Sequence, residues 1–268
     1  SLCLCAANSR PDPQPHSDGI PVPRFDVSRS SGSSLSVLSP GAGPAIIRVS
    51  ACTRPSGEQG GDFYDLLPFD PDHLGVFIGD VSGHGPLVGP IAEMTRELMR
   101  HQARRFGAGD PAAMLTSLNR MLFEHLPSHI FVTAVFGILH RPSGAFRFVR
   151  AGHPRPLYLD AQGVTPCASN GIALGLDNGA IFQGSLEIER LVFRDGDRLL
   201  LYTDGLVEAL DHTGAEYGLD RLTGSLLARH STKGEEAFLA AVLRDWHSHL
   251  AGEPPEDDVT VIGLHHSA

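Results

Sequence analysis

A chain of 268 residues is long enough for one well-cored domain with an appendage, and 41% hydrophobic with 19% charged residues fits a globular protein in water. A formal net charge of −10 excludes a surface built to meet nucleic-acid phosphates, which needs a clustered Lys/Arg field, and suits a chain that gathers carboxylates around metal ions. No apolar run reaches the roughly 18 residues that cross a bilayer, so the sequence predicts no membrane span in this chain.

Cys3, Cys5, Cys52 and Cys167 show neither Cys-x-x-Cys spacing nor a disulfide framework, which points to a reducing, cytoplasmic compartment. Cys3 and Cys5 beside His16 lack the second ligand pair of a zinc clip and read as small residues of a tail. The chain opens at Ser1 rather than Met, which leaves room for an upstream sensory domain or partner.

Residues 1–44 carry five prolines between Pro11 and Pro23 and then a serine-rich run from Ser28 to Ser36, a composition that predicts an extended or flexible arm. The globular domain is predicted to span 45–268. Ala45 to Ala51 reads as a strand by its β-branched content. A second strand starts at Asp62 after Gly60-Gly61, and a third runs from Leu74 to Gly79 and stops at Asp80. Ile91, Met94, Leu98 and Met99 recur at helical spacing behind Pro90, and Asp110 caps a second helix that has Pro111 just inside it. Phe131 to Leu139 is apolar on both faces, as a strand between two layers must be. Arg141 to Gly144 turns the chain back through Phe146 and Phe148. Further strands are predicted at Pro156–Leu159, Leu186–Phe193 and Arg198–Thr203, the last two joined by a turn at Asp195-Gly196. Late helices follow at Leu219–Leu226 and Leu239–Leu250, and Asp257 to Ile262 closes the chain as a strand. Hairpins with paired amphipathic helices predict an α+β, four-layer α-β-β-α sandwich of two antiparallel sheets flanked by helices.

Four acidic positions recur at strand ends beside small residues: Asp62, Asp80 in Gly79-Asp80-Val81-Ser82-Gly83-His84-Gly85, Asp204, and the pair Asp257-Asp258. Carboxylates beside glycines fit oxygen-only coordination of Mg²⁺ or Mn²⁺. Two such ions about 3.5–4 Å apart clamp a phosphate and make the water between them a competent nucleophile.

Gly60-Gly61-Asp62-Phe63-Tyr64-Asp65, the Asp80 motif, Phe131-Val132-Thr133-Ala134, Ala151-Gly152-His153-Pro154, Leu201 to Ala209 around Asp204, and Asp257-Asp258-Val259-Thr260 stand in the order of the metal-dependent (PPM, type 2C) protein phosphatases. Over residues 45–264 the chain resembles their bacterial SpoIIE-like branch. That resemblance implies a phosphoserine/phosphothreonine protein phosphatase with two Mn²⁺ or Mg²⁺ ions. It implies Asp80 as the carboxylate bridging both ions, the Val81 carbonyl as a further ligand, Asp62 on one side, and Asp204 with Asp257 on the other. Asp258 is expected to support Asp257 by hydrogen bonding. The implied substrate is a phosphorylated regulatory protein, an anti-sigma-factor antagonist with a STAS fold. The arginine that grips phosphate in the wider family has no clear equivalent before Asp62, and Arg54 is the nearest basic residue. Arg155 stands where the branch often repeats proline. His84 is a candidate proton donor to the leaving seryl oxygen or a hydrogen-bonding member of its turn. His153 reads as a structural turn residue. Two other classes compete: a nucleotide hydrolase or cyclase, disfavoured because Gly60-Gly61-Asp62-Phe63 lacks the cyclase glutamate, and an inactive pseudophosphatase serving as a binding module, disfavoured by the full acidic set.

Overall fold

The computed structural model describes residues 34–37, 46–56 and 60–267. Eleven strands form two antiparallel sheets. The first holds β1 (Ser34–Val37), β2 (Ile46–Arg54), β11 (Val259–Ser267), β10 (Arg198–Tyr202), β7 (Leu157–Asp160) and β8 (Gly163–Pro166), in that spatial order. The second runs β3 (Phe63–Pro68), β4 (His73–Val81), β5 (Val132–His140), β6 (Ala145–Ala151) and β9 (Glu189–Val192). Helices α1 (Val88–Phe106) and α2 (Pro111–Phe123) cover the second sheet, and α4 (Gly218–Ala228) and α5 (Glu235–Leu250) cover the first. The predicted four-layer sandwich is the observed architecture.

Strand alternation builds three apolar layers. On β4, Leu74, Val76 and Ile78 point between the sheets, while Phe77 and Val81 point at α1 and α2. On β5, Val135 and Leu139 join the inter-sheet core, and Ala134, Phe136 and Ile138 face the helices, which explains why this strand is apolar on both sides. Each side chain buried this completely contributes about 1.5–3 kcal/mol. Trp246, with no exposed surface, anchors α5 on the first sheet beside Phe238 and Val242.

The Asp110 carboxylate accepts from the N–H groups of Ala112 and Ala113, and Pro111 fills the first helical position, as predicted. Helix α1 starts at Val88, two residues before Pro90. The turn that joins it to β4 holds Gly83 at φ 91° and Gly85 at φ 105°, where side-chain-bearing residues are strained.

Several expectations need correction. The strand predicted over Leu186–Phe193 is only Glu189–Val192; the short helix α3 (Ala180–Ser185) precedes it. The Asp195-Gly196 turn does not make a hairpin, because β9 and β10 lie in different sheets. The last strand begins after the acidic pair and runs on to Ser267, burying His265 and His266. Ser34–Val37, inside the stretch read as an arm, pairs with Val49–Cys52 on β2. The remainder of that stretch, with Cys3, Cys5 and His16, lies outside the described residues. Among the described residues no helix is long and apolar enough to cross a membrane.

Candidate metal centre

The aspartates lie where two hairpin-like pairs end side by side. In the second sheet Phe63 registers with Gly79, so Asp62, one residue before β3, meets Asp80 near the end of β4. In the first sheet Tyr202 registers with Val261, so Asp204, just past β10, meets Asp257 and Asp258, just before β11. The Thr203 hydroxyl joins the two groups by donating to Asp62 Oδ2 at 2.7 Å.

This arrangement is electrostatically costly. Burial first, then the Asp80 charge, raises Asp62 from 3.8 to about 8. Burial followed by Asp204, Asp257 and Asp258 raises Asp80 to about 7. Asp204 is raised by burial and by Asp257, and its exposed neighbour Glu208 by partial burial and by Asp204. Carboxylates crowded in this way are stabilised by a bound cation that supplies the missing positive charge.

Backbone packing brings the chain close to these side chains. A Cβ on Gly61 would stand 2.6 Å from Val88 Cγ1, 2.9 Å from Asp80 Oδ1 and 3.0 Å from the Val81 carbonyl oxygen. Glycine there lets the Gly60–Asp62 loop lie against Asp80 and Val81, and Val81 N–H donates to the Gly61 carbonyl. Asp258 is buried and accepts from Ser56 N–H at 2.7 Å, the Ser56 hydroxyl at 3.2 Å and Asp62 N–H at 3.4 Å, so it ties down the loop that carries Asp62. Asp257 is exposed, and its Oδ1 accepts only the next N–H, at 2.7 Å.

The donor set fits a pair of hard divalent cations: all oxygen, mutually repelling, and half-buried except for exposed Asp257. Among the described residues no three His, Cys, Asp or Glu side chains are gathered tightly enough to cage an ion by themselves. Backbone and solvent oxygens would therefore complete the coordination.

The remaining candidates fall in different places. His84 is exposed on the glycine turn, on the wall of a groove shared with Leu87, His129, Ile130 and Phe131. Arg54 ends β2 on the face that carries Ser50 and Cys52, and it lines a separate groove with Arg244 and His247 of α5. Its strand partner is Val259, directly after the acidic pair, and its side chain lines the groove on the α5 side. His153 is fully buried, accepts or donates at 2.9 Å to the Thr133 hydroxyl, and burial drives its pKa down to about 3. It is a neutral structural residue. Thr203, Thr260, Thr133 and Ser56 were missed as site residues; the strand alternation that places Thr53, Thr203 and Thr260 on the inter-sheet face was the available signal.

The family profile described as Stage II sporulation protein E (SpoIIE) matches residues 70–267. The chain belongs to the SpoIIE family. This family has the PP2C-type serine/threonine phosphatase fold. Protein IcfG of Synechocystis is 26% identical over 244 residues, 81% of this chain and 38% of that protein. Phosphoserine phosphatase RsbP of Bacillus subtilis is 26% identical over 181 residues, 66% of this chain and 43% of that protein. The chain thus spans about two-fifths of either relative. The SiaA-PP2C domain of Pseudomonas aeruginosa superposes with a TM-score of 0.70 at 21% identity, covering 81% of this chain and 85% of that one. The catalytic domain of the serine/threonine protein phosphatase PstP, solved with two manganese ions, gives 0.58 at 16% identity over 84% of this chain and all of that one. These structural likenesses establish the fold.

Proposed function

We propose that this SpoIIE-family chain is a Mn²⁺- or Mg²⁺-dependent phosphatase acting on phosphoserine or phosphothreonine of a regulatory protein, and that the protein is a STAS-domain anti-sigma-factor antagonist. The observation that carries the reading is the meeting of Asp62 and Asp80 from the second sheet with Asp204, Asp257 and Asp258 from the first. The RsbP relative, a phosphoserine phosphatase, and PstP with its two manganese ions support the substrate class and the metal.

Asp62, Asp80, Asp204, Asp257 and the Val81 carbonyl would hold the ions. When bound, the ions supply positive charge that holds a phosphate and acidifies water. Asp258 keeps the Asp62 loop in place. His84, exposed on the adjoining glycine turn, would protonate the leaving seryl oxygen through a ring nitrogen, a transfer suited to imidazole near neutral pH. The open groove along Leu87, His129 and Phe131 suits a seryl phosphate presented on a protein surface. Free thiols at Cys52 and Cys167 support a cytoplasmic setting.

The test is hydrolysis of p-nitrophenyl phosphate and of a phosphoserine STAS-domain protein, with Mn²⁺, with EDTA, and with Asp80→Asn. Manganese-dependent turnover lost in the variant is expected, with the protein substrate preferred over phosphocasein. Activity that survives chelation eliminates the reading. Intact manganese binding without turnover on either substrate identifies a pseudophosphatase instead.

A further inference from the structure

The inter-sheet face changes character one residue short of the aspartates. On β2 it reads Val49, Ala51, Thr53; on β11, towards the site, Leu264, Ile262, Thr260; along β10 and one residue past its end, Leu199, Leu201, Thr203. The apolar members form the inter-sheet core, and the three threonines close it off below the carboxylates. Thr203 and Thr260 have no exposed surface.

With Asp62 ionised, the hydrogen bonds of Thr203 have one consistent direction. The Thr260 N–H can only donate, and it does so to Thr203 Oγ1 at 2.9 Å. Thr203 Oγ1 then has a single proton, and the partner at 2.7 Å is Asp62 Oδ2, which accepts. Thr260 carbonyl oxygen, at 3.4 Å, is a much weaker competitor. Thr53 and Thr260 hydroxyls lie 3.1 Å apart across registered strands, and the Thr260 hydroxyl acts on Asp62 in the same direction as Thr203. With the Thr260 hydroxyl turned to Asp62, Thr53 is left to donate to Thr260, and hydroxyls ordered in that way strengthen one another.

We propose that Thr203 is the positioning residue of the centre: its hydroxyl, oriented by Thr260 N–H, fixes the Asp62 carboxylate by one oxygen and leaves the other turned to a cation. The inference rests on the reading of Asp62 as a metal ligand. Asp62 belongs to the second sheet and Thr203 to the first, so this bond also sets the spacing between the two halves of the site. A methyl group in place of the hydroxyl keeps the volume and removes both the donor and the acceptor.

The experiment is Mn²⁺ titration of the full chain followed by electron paramagnetic resonance of the free ion, with melting temperature recorded alongside. Thr203→Val is expected to weaken manganese binding about ten-fold, and Thr203→Ser to restore it to within about three-fold, because one charge-assisted hydrogen bond separates them. Thr260→Val should fall between wild type and Thr203→Val, and Thr53→Val, one link further away, should change binding less than either. Should Thr203→Val not fold, Thr203→Ala against Thr203→Ser carries the same comparison. Manganese affinity equal in the Val or Ala and Ser variants, or losses that follow melting temperature rather than distance from Asp62, overturns the inference. Asp62→Asn separates the two levels: unchanged binding there removes Asp62 as a ligand and the inference with it, whereas lost binding beside an unaffected Thr203→Val removes the positioning role alone.

Discussion

Divalent cations should reverse the pH dependence of this protein's stability. Without a cation, burial and mutual repulsion place Asp62 at about 8 and Asp80 at about 7, against 3.8 for a free side chain. A carboxylate whose folded pKa lies above its unfolded value holds its proton more tightly when folded, so the associated stability is complete below about pH 4 and is lost as pH rises through the folded values. Integrating the proton uptake of these two sites from about pH 6.5 to about pH 8.5 gives a loss of roughly 3 kcal/mol. Glu235, raised to about 7 mainly by burial, adds to that loss. Buried His153 and His265, lowered to about 3 and about 4, oppose it by a similar amount, since their unfolded imidazoles shed protons over the lower part of the same span. At about 2–4 °C per kcal/mol for a chain near this size, the melting temperature should fall by on the order of 8 °C in EDTA. With saturating Mn²⁺ the trend flattens or inverts, because cation binding displaces those protons and tightens as pH rises. Scanning fluorimetry in EDTA and in Mn²⁺ at matched ionic strength reads both curves. A melting temperature that stays level or climbs in EDTA, or an undiminished fall in the Asp62→Asn, Asp80→Asn double variant, refutes the electrostatic account of the site.

Three further outcomes follow from the geometry. Gly61→Ala pushes a methyl group into Val88 and Asp80, so it should cost about 1–3 kcal/mol in denaturant unfolding and weaken manganese binding in the same preparation. Arg54→Ala should leave kcat/KM on p-nitrophenyl phosphate within about two-fold of wild type, since the guanidinium faces α5; a loss of about ten-fold, roughly one charge-assisted hydrogen bond, would return Arg54 to the phosphate. Arg100 Nε donates to Asp65 Oδ2 at 2.6 Å and ties α1 to β3 three residues beyond Asp62. Arg100→Met and Asp65→Asn should each destabilise by about 1–2 kcal/mol and combine to clearly less than their sum in a double-mutant cycle, and strict additivity would show that the two side chains do not depend on each other.

Much of this was legible because the chemistry is written at strand ends. Asp80 follows a run of Leu, Val, Phe and Ile that can only be a buried strand, and Asp257-Asp258 precedes another. The aspartates and the Asp110 cap were therefore visible from local pattern alone. What the pattern could not show was which sheet a strand joins. Leu186–Phe193 and Arg198–Thr203 look like a hairpin across Asp195-Gly196, yet Glu189–Val192 adds to β6 and Arg198–Tyr202 to β11, because both inner faces need covering. The last strand was ended at Ile262, yet it continues to Ser267 and buries His265 and His266. Arg54 was singled out through its proximity in sequence to Asp62. Counting faces from Val49 and Ala51 would have put Thr53, not Arg54, on the inner side.

The same counting explains how a fold of this kind tolerates carboxylates at the mouth of its core. Unsupported, a buried carboxylate costs several kcal/mol, and an apolar layer directly beneath it would leave its inner lone pairs without partners. Here Ile78 and Val135 lie below Asp80, but Thr133 stands opposite it in register, and Thr203 and Thr260 stand below Asp62. One layer of threonines supplies hydroxyl protons on the core side and methyl groups to the hydrocarbon underneath, which serine does less well and valine cannot do at all. The outer lone pairs are thereby left for cations, and the surplus negative charge that raises Asp62 and Asp80 becomes the driving force for binding them. Stability without metal and affinity for metal are thus set against each other by the same few oxygens, so any substitution that relieves the repulsion should stabilise the metal-free chain while weakening its hold on the ions.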